Sequence, residues 1–407
     1  MPEPTDGGTT NRWKEIATGF LKIGATGYGG PAIMGVMQAE FQERRQWVSK
    51  PQFVEGLALV NVLPGATAVE LGIFLGYARG GWWGGLVAGL CFAAPGFVVM
   101  LALALAYATL DVNPIVRSAL YGLGPVVLAI FVVALVRLGR SALRAWPQRL
   151  IATAAAVAAL LSPIGAAAIL LLAGAVGLFL FHSRRAGAIV LLALTAGIAL
   201  MPFVVWSPLG SLITSGGPGF GRVIALFSTI GTVTFGGGLS MIALVEEHVV
   251  HRLHWLTPPE FIAGLALGQL TPGPILMVAA FIGYKLLGVG GAVAAAVAMF
   301  LPSFVLMLAI LPAFDRVRKL TWMKAVIQGI GPAVIGVMAV ALSRLAPASA
   351  PDPVAVIVLV AAVAVLLFGQ VAPLPAMLGG AVLGVARSWL AALPGLKPAL
   401  GLGLWVR

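Results

Sequence analysis

Polar side chains stand beside Gly-Pro breaks that interrupt long apolar stretches of this sequence. Asn61 and Gln269 each lie three residues before a Pro, and Glu70 follows the first of these prolines inside an apolar run. Amide and hydroxyl groups at such places can donate hydrogen bonds to oxyanion oxygens. A carboxylate inside a membrane is costly and is usually functional, for example as a proton carrier. These residue types favour a site for a small anion with a nearby proton-binding group.

The breaks come in two matched kinds. Gly27-Tyr28-Gly29-Gly30-Pro31 matches Phe235-Gly236-Gly237-Gly238, and Pro64-Gly65 matches Pro272-Gly273-Pro274. Pro removes a backbone donor and Gly relaxes the chain, and backbone freed in this way must be buried in protein or line a wet cavity. A half-helix that begins at a break presents free N–H groups and a positive dipole end to anions. The alternative is that Gly and Pro serve close packing and kinks of membrane helices.

The candidate anion site is the set of residues at and beside these breaks. Its members are Gly29, Gly30, Pro31, Asn61, Pro64, Gly65, Thr67, Gly236, Gly237, Gln269, Thr271, Pro272, Gly273 and Pro274. Glu70 and Lys22 are candidates for coupling or charge compensation, with an ion pair and snorkelling to an interface as the alternatives. Arg44 and Arg45 either attract anions at an entrance or lie at headgroup level. The pattern predicts no metal, no other cofactor and no catalytic residue.

Composition decides where these residues must lie. The chain has 407 residues, of which 60% are hydrophobic and 9% are charged, whereas a soluble chain carries about 25% charged residues. One membrane crossing needs about 20 apolar residues, so the sequence predicts an all-α integral membrane protein with many crossings. This scarcity of charge excludes soluble enzymes and nucleic-acid-binding proteins. The net charge of +12 is better explained by basic loops that fix topology than by nucleic acid. The lipid bilayer is the expected surrounding.

Gly, Pro, Trp and Arg recur at an offset of 207 or 208 residues, which indicates an internal repeat. The matched positions include Trp47 with Trp255, Leu75-Gly76-Tyr77 with Ile282-Gly283-Tyr284, Pro95 with Pro302, Gly122 with Gly329 and Arg137 with Arg344. We predict a polar tail (1–12), a first six-segment repeat (13–186), a linking transmembrane helix and loop (187–219) and a second six-segment repeat (220–407). An odd crossing between the copies inverts the second one, a common arrangement in secondary transporters. Broken or re-entrant helices are expected within each repeat.

The motifs resemble the chromate ion transporter family in order and spacing. YGGP at 28–31, the stretch with Arg44, Arg45 and Trp47, and NVLPG at 61–65 are similar to the N-terminal half of that family, whereas GQLTPGP at 268–274 and LPSF at 301–304 are similar to its C-terminal half. The resemblance implies a long-chain, two-domain exporter of chromate in the inner (cytoplasmic) membrane. It also implies coupling to the proton motive force, here expected as antiport. Two departures from the family pattern are Ala66, where Pro is usual, and Phe74, where His is usual.

Two other functions remain open on the residues alone. One is transport of sulfate or another small anion, since tetrahedral oxyanions differ only in size, charge and proton affinity. The other is an integral-membrane enzyme acting on a lipid, but the sequence contains no familiar hydrolase or metalloprotease motif. The sequence does not decide whether the protein forms a homodimer.

Overall fold

The computed structural model describes residues 9–28, 30–110, 113–162, 164–205, 217–235, 238–314, 321–369 and 371–392. These residues are predominantly helical, and no strand occurs among them. Four of the helices in this part of the chain are long and apolar enough to cross a membrane. The prediction of an all-α, multi-pass membrane protein is confirmed.

Seven helices make up the first half of the chain, and an eighth follows them. They are α1 (Thr9–Thr26), α2 (Gly30–Met37), α3 (Lys50–Val60), α4 (Thr67–Leu110), α5 (Pro114–Ala142), α6 (Trp146–Leu161), α7 (Ala166–Phe181) and α8 (Arg184–Val205). A π-helical turn, Gln38–Arg44, continues α2.

Helices in the second half follow the same order as those of the first half. They are α9 (Phe220–Val233), α10 (Leu239–Val245), α11 (Pro258–Leu270), α12 (Val278–Ile310), α13 (Thr321–Ser349), α14 (Pro353–Phe368) and α15 (Pro373–Ala392). A π-helical turn (Glu246–Arg252) follows α10, and a short 3₁₀ turn (Ile275–Met277) precedes α12. Each helix from α1 to α7 therefore has a counterpart eight labels later, and α8 has none among the described helices.

Both kinds of predicted break are helix ends in the structure. The apolar stretch 13–37 comprises α1 and α2, and the stretch 52–78 comprises α3 and the beginning of α4. Consequently these two segments are not single helices. The 11 residues of α3 extend only about 16 Å, roughly half of a bilayer core of about 30 Å, as expected for a broken helix.

Local sequence signals explain where the short helices begin. The Ser49 hydroxyl caps α3 by accepting from the Gln52 N–H, and the Gln52 side-chain oxygen in turn accepts from the Ser49 N–H. Thr257 and Glu260 form the same capping box on α11. In both helices Pro follows the cap residue within the first turn, where its missing N–H costs nothing.

A glycine kink divides α4 into two limbs. Gly81 has φ +64° in the middle of the helix, and Gly288 has φ +66° at the equivalent place in α12. A side chain disfavours this left-handed backbone. The two limbs of each helix therefore change direction at matching glycines.

The two halves exchange their packing partners. Helix α5 of the first half packs against α14 and α15 of the second half, whereas α13 packs against α6 and α7. Helices α4 and α12 pack against each other, and each also packs against the first helix of its own half, α1 or α9. A large part of the helix packing thus lies between the two halves.

Small residues permit the closest of these approaches. A Cβ on Gly122 of α5 would overlap the carbonyl oxygen of Gly380 in α15, and a Cβ on Gly329 of α13 would overlap the carbonyl oxygen of Ala173 in α7. Glycine at these places lets the backbones approach closely, as at small-residue interfaces of membrane helices. The two contacts occupy equivalent positions in the two repeats.

We expect Gly329→Ala to destabilise the protein by about 1–3 kcal/mol, because the added methyl group overpacks the contact between α13 and α7. Gly331→Ala on the same helix is the matched control, since nothing lies within 4 Å of a Cβ there. The measurement is the midpoint of thermal unfolding in detergent. A Gly329→Ala midpoint equal to that of Gly331→Ala would contradict the close approach.

Candidate functional site

Two reciprocal hydrogen bonds join the breaks of one half to those of the other. The Gly65 N–H donates to the Thr234 carbonyl oxygen at 2.7 Å, and the Gly273 N–H donates to the Gly27 carbonyl oxygen at 2.8 Å. Gly65 and Gly273 are equivalent positions of the repeat, as are Gly27 and Thr234. These bonds join the breaks in two pairs, and Gly238 of one pair lies against the Ile275 and Leu276 side chains that follow the break of the other pair. The four predicted breaks therefore lie close together.

Glycine is required on both sides of this meeting point. Gly65 has φ +140° and Gly273 has φ +92°, which are backbone conformations that residues with a side chain rarely adopt. A Cβ on Gly65 would also overlap the Glu70 Oε1 and Ser303 Oγ atoms. Both side chains therefore reach the backbone of the Pro64-Gly65 break.

Glu70 is fully buried (0% exposed) in the first turn of α4. Neither of its carboxyl oxygens makes a well-formed hydrogen bond to a described residue, and the Ser303 hydroxyl is the polar group beside them. The Ser303 oxygen accepts the Ala66 N–H at 2.9 Å, so its hydroxyl hydrogen remains for Glu70. The carboxyl group thus folds back over the N-terminus of its own helix.

Free backbone donors remain at both half-helix starts. The N–H groups of Thr67, Ala68 and Val69 lie in the first turn of α4, where the helix itself offers them no carbonyl partner. The N–H groups of Ile275 and Leu276 are equally without a partner among the described residues. Such donors and the positive end of the helix dipole favour an anion.

The predicted polar residues divide into two groups by their present contacts. Thr67 and Thr271 are buried, and the Thr271 hydroxyl donates to the Leu267 carbonyl oxygen at 2.7 Å. Asn61 is exposed, and its amide donates to the Leu57 carbonyl oxygen at 2.7 Å, which caps the end of α3. Gln269 is half-buried in the last turn of α11 and makes no side-chain hydrogen bond to another described residue.

The remaining candidates lie at different distances from this meeting point. Pro64 and Pro272 flank the two central glycines, Pro274 precedes the 3₁₀ turn, and Gly30 and Pro31 form the first turn of α2. Gly29, Gly236 and Gly237 lie outside the described residues. Lys22 lies on an exposed face of α1, so the structure does not bring it to the buried Glu70.

Arg45 is held in an ion-pair cluster rather than facing open solvent. It binds Glu40 at 2.7 Å and Glu15 at 3.6 Å, whereas Arg44 is largely exposed and binds Glu40 at 3.2 Å. Burial acts to raise the pKa of Glu40, but hydrogen bonds and charges of Arg45 and Arg44 outweigh it and lower that pKa. The second half repeats the pair with Arg252 and Glu247 at 2.8 Å.

Arg137 and Arg344, a matched pair of the repeat, have a specific role in the fold. Arg137 donates to the Leu366 carbonyl oxygen and Arg344 to the Ala159 carbonyl oxygen, both at 2.8 Å. Each acceptor lies in the last turn of a helix from the other half, where a cation stabilises the negative dipole end. Each arginine therefore stabilises the contact between its own helix and the end of a helix from the other half.

Sequence reasoning missed Ser303, although a signal for it exists. Pro95-Gly96-Phe97 and Pro302-Ser303-Phe304 are equivalent, so Ser303 is a polar residue at a position where the other copy has glycine. Gly96 lies beside the Pro272 carbonyl oxygen, 2.7 Å from where its Cβ would be. Ser303 lies beside the Pro64-Gly65 break and Gly96 beside the Pro272-Gly273 break. The signal for Ser303 is therefore a polar residue where the other repeat has glycine.

The fold and the site together define a class. A polytopic helical protein with paired broken helices that meet in its interior is typical of secondary transporters. The chain belongs to the chromate transporter family: the model of that family, described as "Chromate transporter", matches residues 14–179 and again residues 221–385. The resemblance expected from the motifs is confirmed, and the protein is not an enzyme.

Curated relatives cover nearly the whole chain. It is 30% identical to a "Probable chromate transport protein" of Synechococcus elongatus over 386 residues (92% of this chain, 95% of the relative). It is 29% identical to a "Chromate transport protein" of Cupriavidus metallidurans over 384 residues (91% and 92%). It is 32% identical to a "Chromate transport protein" of Pseudomonas aeruginosa over 345 residues (83% and 82%). No solved structure matches the chain.

Proposed function

We propose that the protein exports chromate across the inner (cytoplasmic) membrane and that the proton motive force supplies the energy. Membership of the chromate transporter family and relatives named as chromate transport proteins support this cargo. Coupling and direction rest on the geometry around Glu70.

The anion binds where the four breaks meet. The free N–H groups at the starts of α4 and α12 and the Thr67 hydroxyl supply donors. Asn61 at the end of α3 and Gln269 in the last turn of α11 precede the breaks and add their side-chain amides. The other break residues named from the sequence shape this site. A dianion held by backbone dipoles needs few formal charges nearby, which agrees with the low charge content of the chain.

The observation that carries the proposal is the carboxyl group of Glu70 at the N-terminus of α4. An ionised Glu70 would place a negative charge where the substrate anion binds, and like charges at one site repel each other. Anion binding therefore requires a protonated Glu70. In this proposal the proton and the anion travel together, whereas the family resemblance implied antiport.

Co-transport of one proton remains compatible with export. A chromate dianion with one proton carries a net charge of −1, and an inside-negative potential drives that charge outward with about 2.3 kcal/mol per 100 mV. The electrical part of the proton motive force thus drives export.

The two repeats are related by an axis in the membrane plane. Reciprocal hydrogen bonds, reciprocal helix packing and reciprocal arginine contacts support a twofold relation between the halves. Helix α8 stands between them and has the length of a crossing, about 33 Å for its 22 residues, which gives the second repeat the opposite orientation. The domain bounds predicted from the sequence follow the same division.

A proteoliposome flux assay with an imposed membrane potential tests this function. We expect chromate flux to exceed that of sulfate, molybdate and phosphate, and to follow the potential. Gln269→Ala should lower flux per folded molecule by about tenfold, the equivalent of a lost interaction of ~1.4 kcal/mol. A preference for sulfate would assign the second candidate cargo, and flux that ignores the potential would refute the proposed driving force.

A further inference from the structure

A second polar site lies away from the breaks, in a cavity of about 330 Å³. The π-helical turn Glu246–Arg252, α13 and the connection between α6 and α7 enclose it. Apart from the charged side chains of the turn and Arg344, small apolar residues such as Ala159 and Ala341 form most of its wall. A cavity of this size and polarity holds several water molecules.

Glu246 is the buried acid of this cavity, with an exposed fraction of 1%. Its Oε1 atom lies 2.6 Å from His251 Nε2, whereas its Oε2 atom is buried and has no hydrogen-bond partner among the described residues. A buried carboxyl oxygen without a partner is costly unless it binds a proton or a donor. Glu246 is therefore poised to take up a proton.

The other charged groups around Glu246 are already engaged. Glu247 binds Arg252 at 2.8 Å and accepts the Ala166 N–H at the start of α7 at 2.5 Å. Arg344 of α13 faces Glu246 and donates to the Ala159 carbonyl oxygen. Two further titratable groups of the surrounding elements also have partners: His248 of the turn binds the Leu244 carbonyl oxygen, and Glu260 of α11 binds Lys285.

His251 connects the buried acid to solvent. Its side chain is 43% exposed, while the bonded carboxyl group is buried. Burial raises the pKa of Glu246, and the charge and hydrogen bond of His251 and the charge of Arg344 act against this rise. An imidazole beside such an acid is suited to pass protons between water and the interior.

The equivalent place in the first repeat lacks this pair. Ala39 stands at the position of Glu246 and Arg44 at that of His251. Arg137 matches Arg344, and the ion pair of Arg45 with Glu40 matches that of Arg252 with Glu247. Both repeats therefore form the same turn with the same arginine–glutamate pair, but only the second repeat adds the acid and the imidazole. The turn does not need Glu246 and His251 in order to fold.

We propose that Glu246 and His251 form a proton-binding site that exchanges protons with water in this cavity. The site is separate from the anion site at the breaks and does not rest on the identity of the cargo. The first repeat, with Ala39 and Arg44 at the equivalent positions, has no such pair.

Infrared difference spectroscopy on the full-length protein in lipid nanodiscs tests this site without any substrate. Stepping the pH of the perfusing buffer should give a carboxylic acid C=O band that shifts in D₂O. Glu246→Gln should remove one component of this band and leave the component of the other buried acid, Glu70, whereas Glu43→Gln, at an exposed glutamate of the first repeat's turn, should leave the whole band unchanged. An unchanged band in Glu246→Gln would overturn the proposal.

A second variant keeps the test decisive if Glu246→Gln folds poorly. His251→Gln changes a partly exposed side chain and removes the group that stabilises the ionised acid. The pH midpoint of the Glu246 band should rise by about one unit. A midpoint that stays in place would show that the two groups do not share a proton site.

Discussion

Glu70→Gln should make chromate binding independent of pH. In the wild-type protein, affinity should fall by about tenfold per pH unit at alkaline pH, because each bound anion then requires uptake of one proton by an ionised Glu70. Glutamine keeps the shape of the side chain but has no charge to neutralise. Binding measured at alkaline pH, where chromate itself is a dianion, should therefore lose its slope in the variant.

The charge moved per chromate provides the independent readout. Wild-type protein should move a net charge of −1 per chromate, and Glu70→Gln should move −2, because the anion crosses without its proton. Reversal potentials in proteoliposomes measure this ratio. Glu43→Gln, an exposed substitution of the same kind, should leave both slope and charge unchanged. A retained proton stoichiometry in Glu70→Gln would remove Glu70 from coupling.

Gly65→Ala should reduce transport by more than tenfold and should also lower thermal stability. The substitution imposes a side chain at φ +140°, a strain of about 1–3 kcal/mol, and its methyl group overlaps Glu70 Oε1 and Ser303 Oγ. Because these atoms form the proposed coupling site, flux per folded molecule should fall further than the yield of folded protein. Flux and unfolding midpoint are measured on the same preparation.

Two glycine variants separate the causes of this loss. Gly81→Ala also places a side chain at a left-handed backbone (φ +64°), but nothing lies within 4 Å of its Cβ. Gly35→Ala, within α2, has neither strain nor overlap. We expect a small effect for Gly81→Ala and none for Gly35→Ala. If Gly81→Ala matched Gly65→Ala, backbone strain alone would explain the loss, and the contact with Glu70 would be irrelevant.

Local signals made the breaks predictable. Gly and Pro around residues 27–31 and 61–66 act on the backbone of their own segment, and the structure ends helices at both places. The repeat was equally accessible, because a constant offset is a property of the sequence, and the family model matches each half once. The burial of Glu70 followed from its place in an apolar run.

Partners across the two halves were not predictable in the same way. Nothing near Ser303 in the sequence indicates that its hydroxyl accepts the Ala66 N–H 237 residues away. The carbonyl groups that receive Arg137 and Arg344 belong to helices of the opposite half. Asn61 shows the converse, since its amide turns back to cap its own helix, a local bond of the kind that competes with contacts to more distant groups.

The exchanged packing also has a consequence for biosynthesis. Helix α5 packs against α14 and α15, with Gly122 against α15, and the ribosome makes both of these helices long after α5. Until the second half is inserted, the surface of α5 that these helices cover is therefore exposed to lipid. A nonsense mutation late in the second half would therefore also destabilise the first half. We expect quality-control proteases to degrade the whole truncated chain instead of leaving a folded first half.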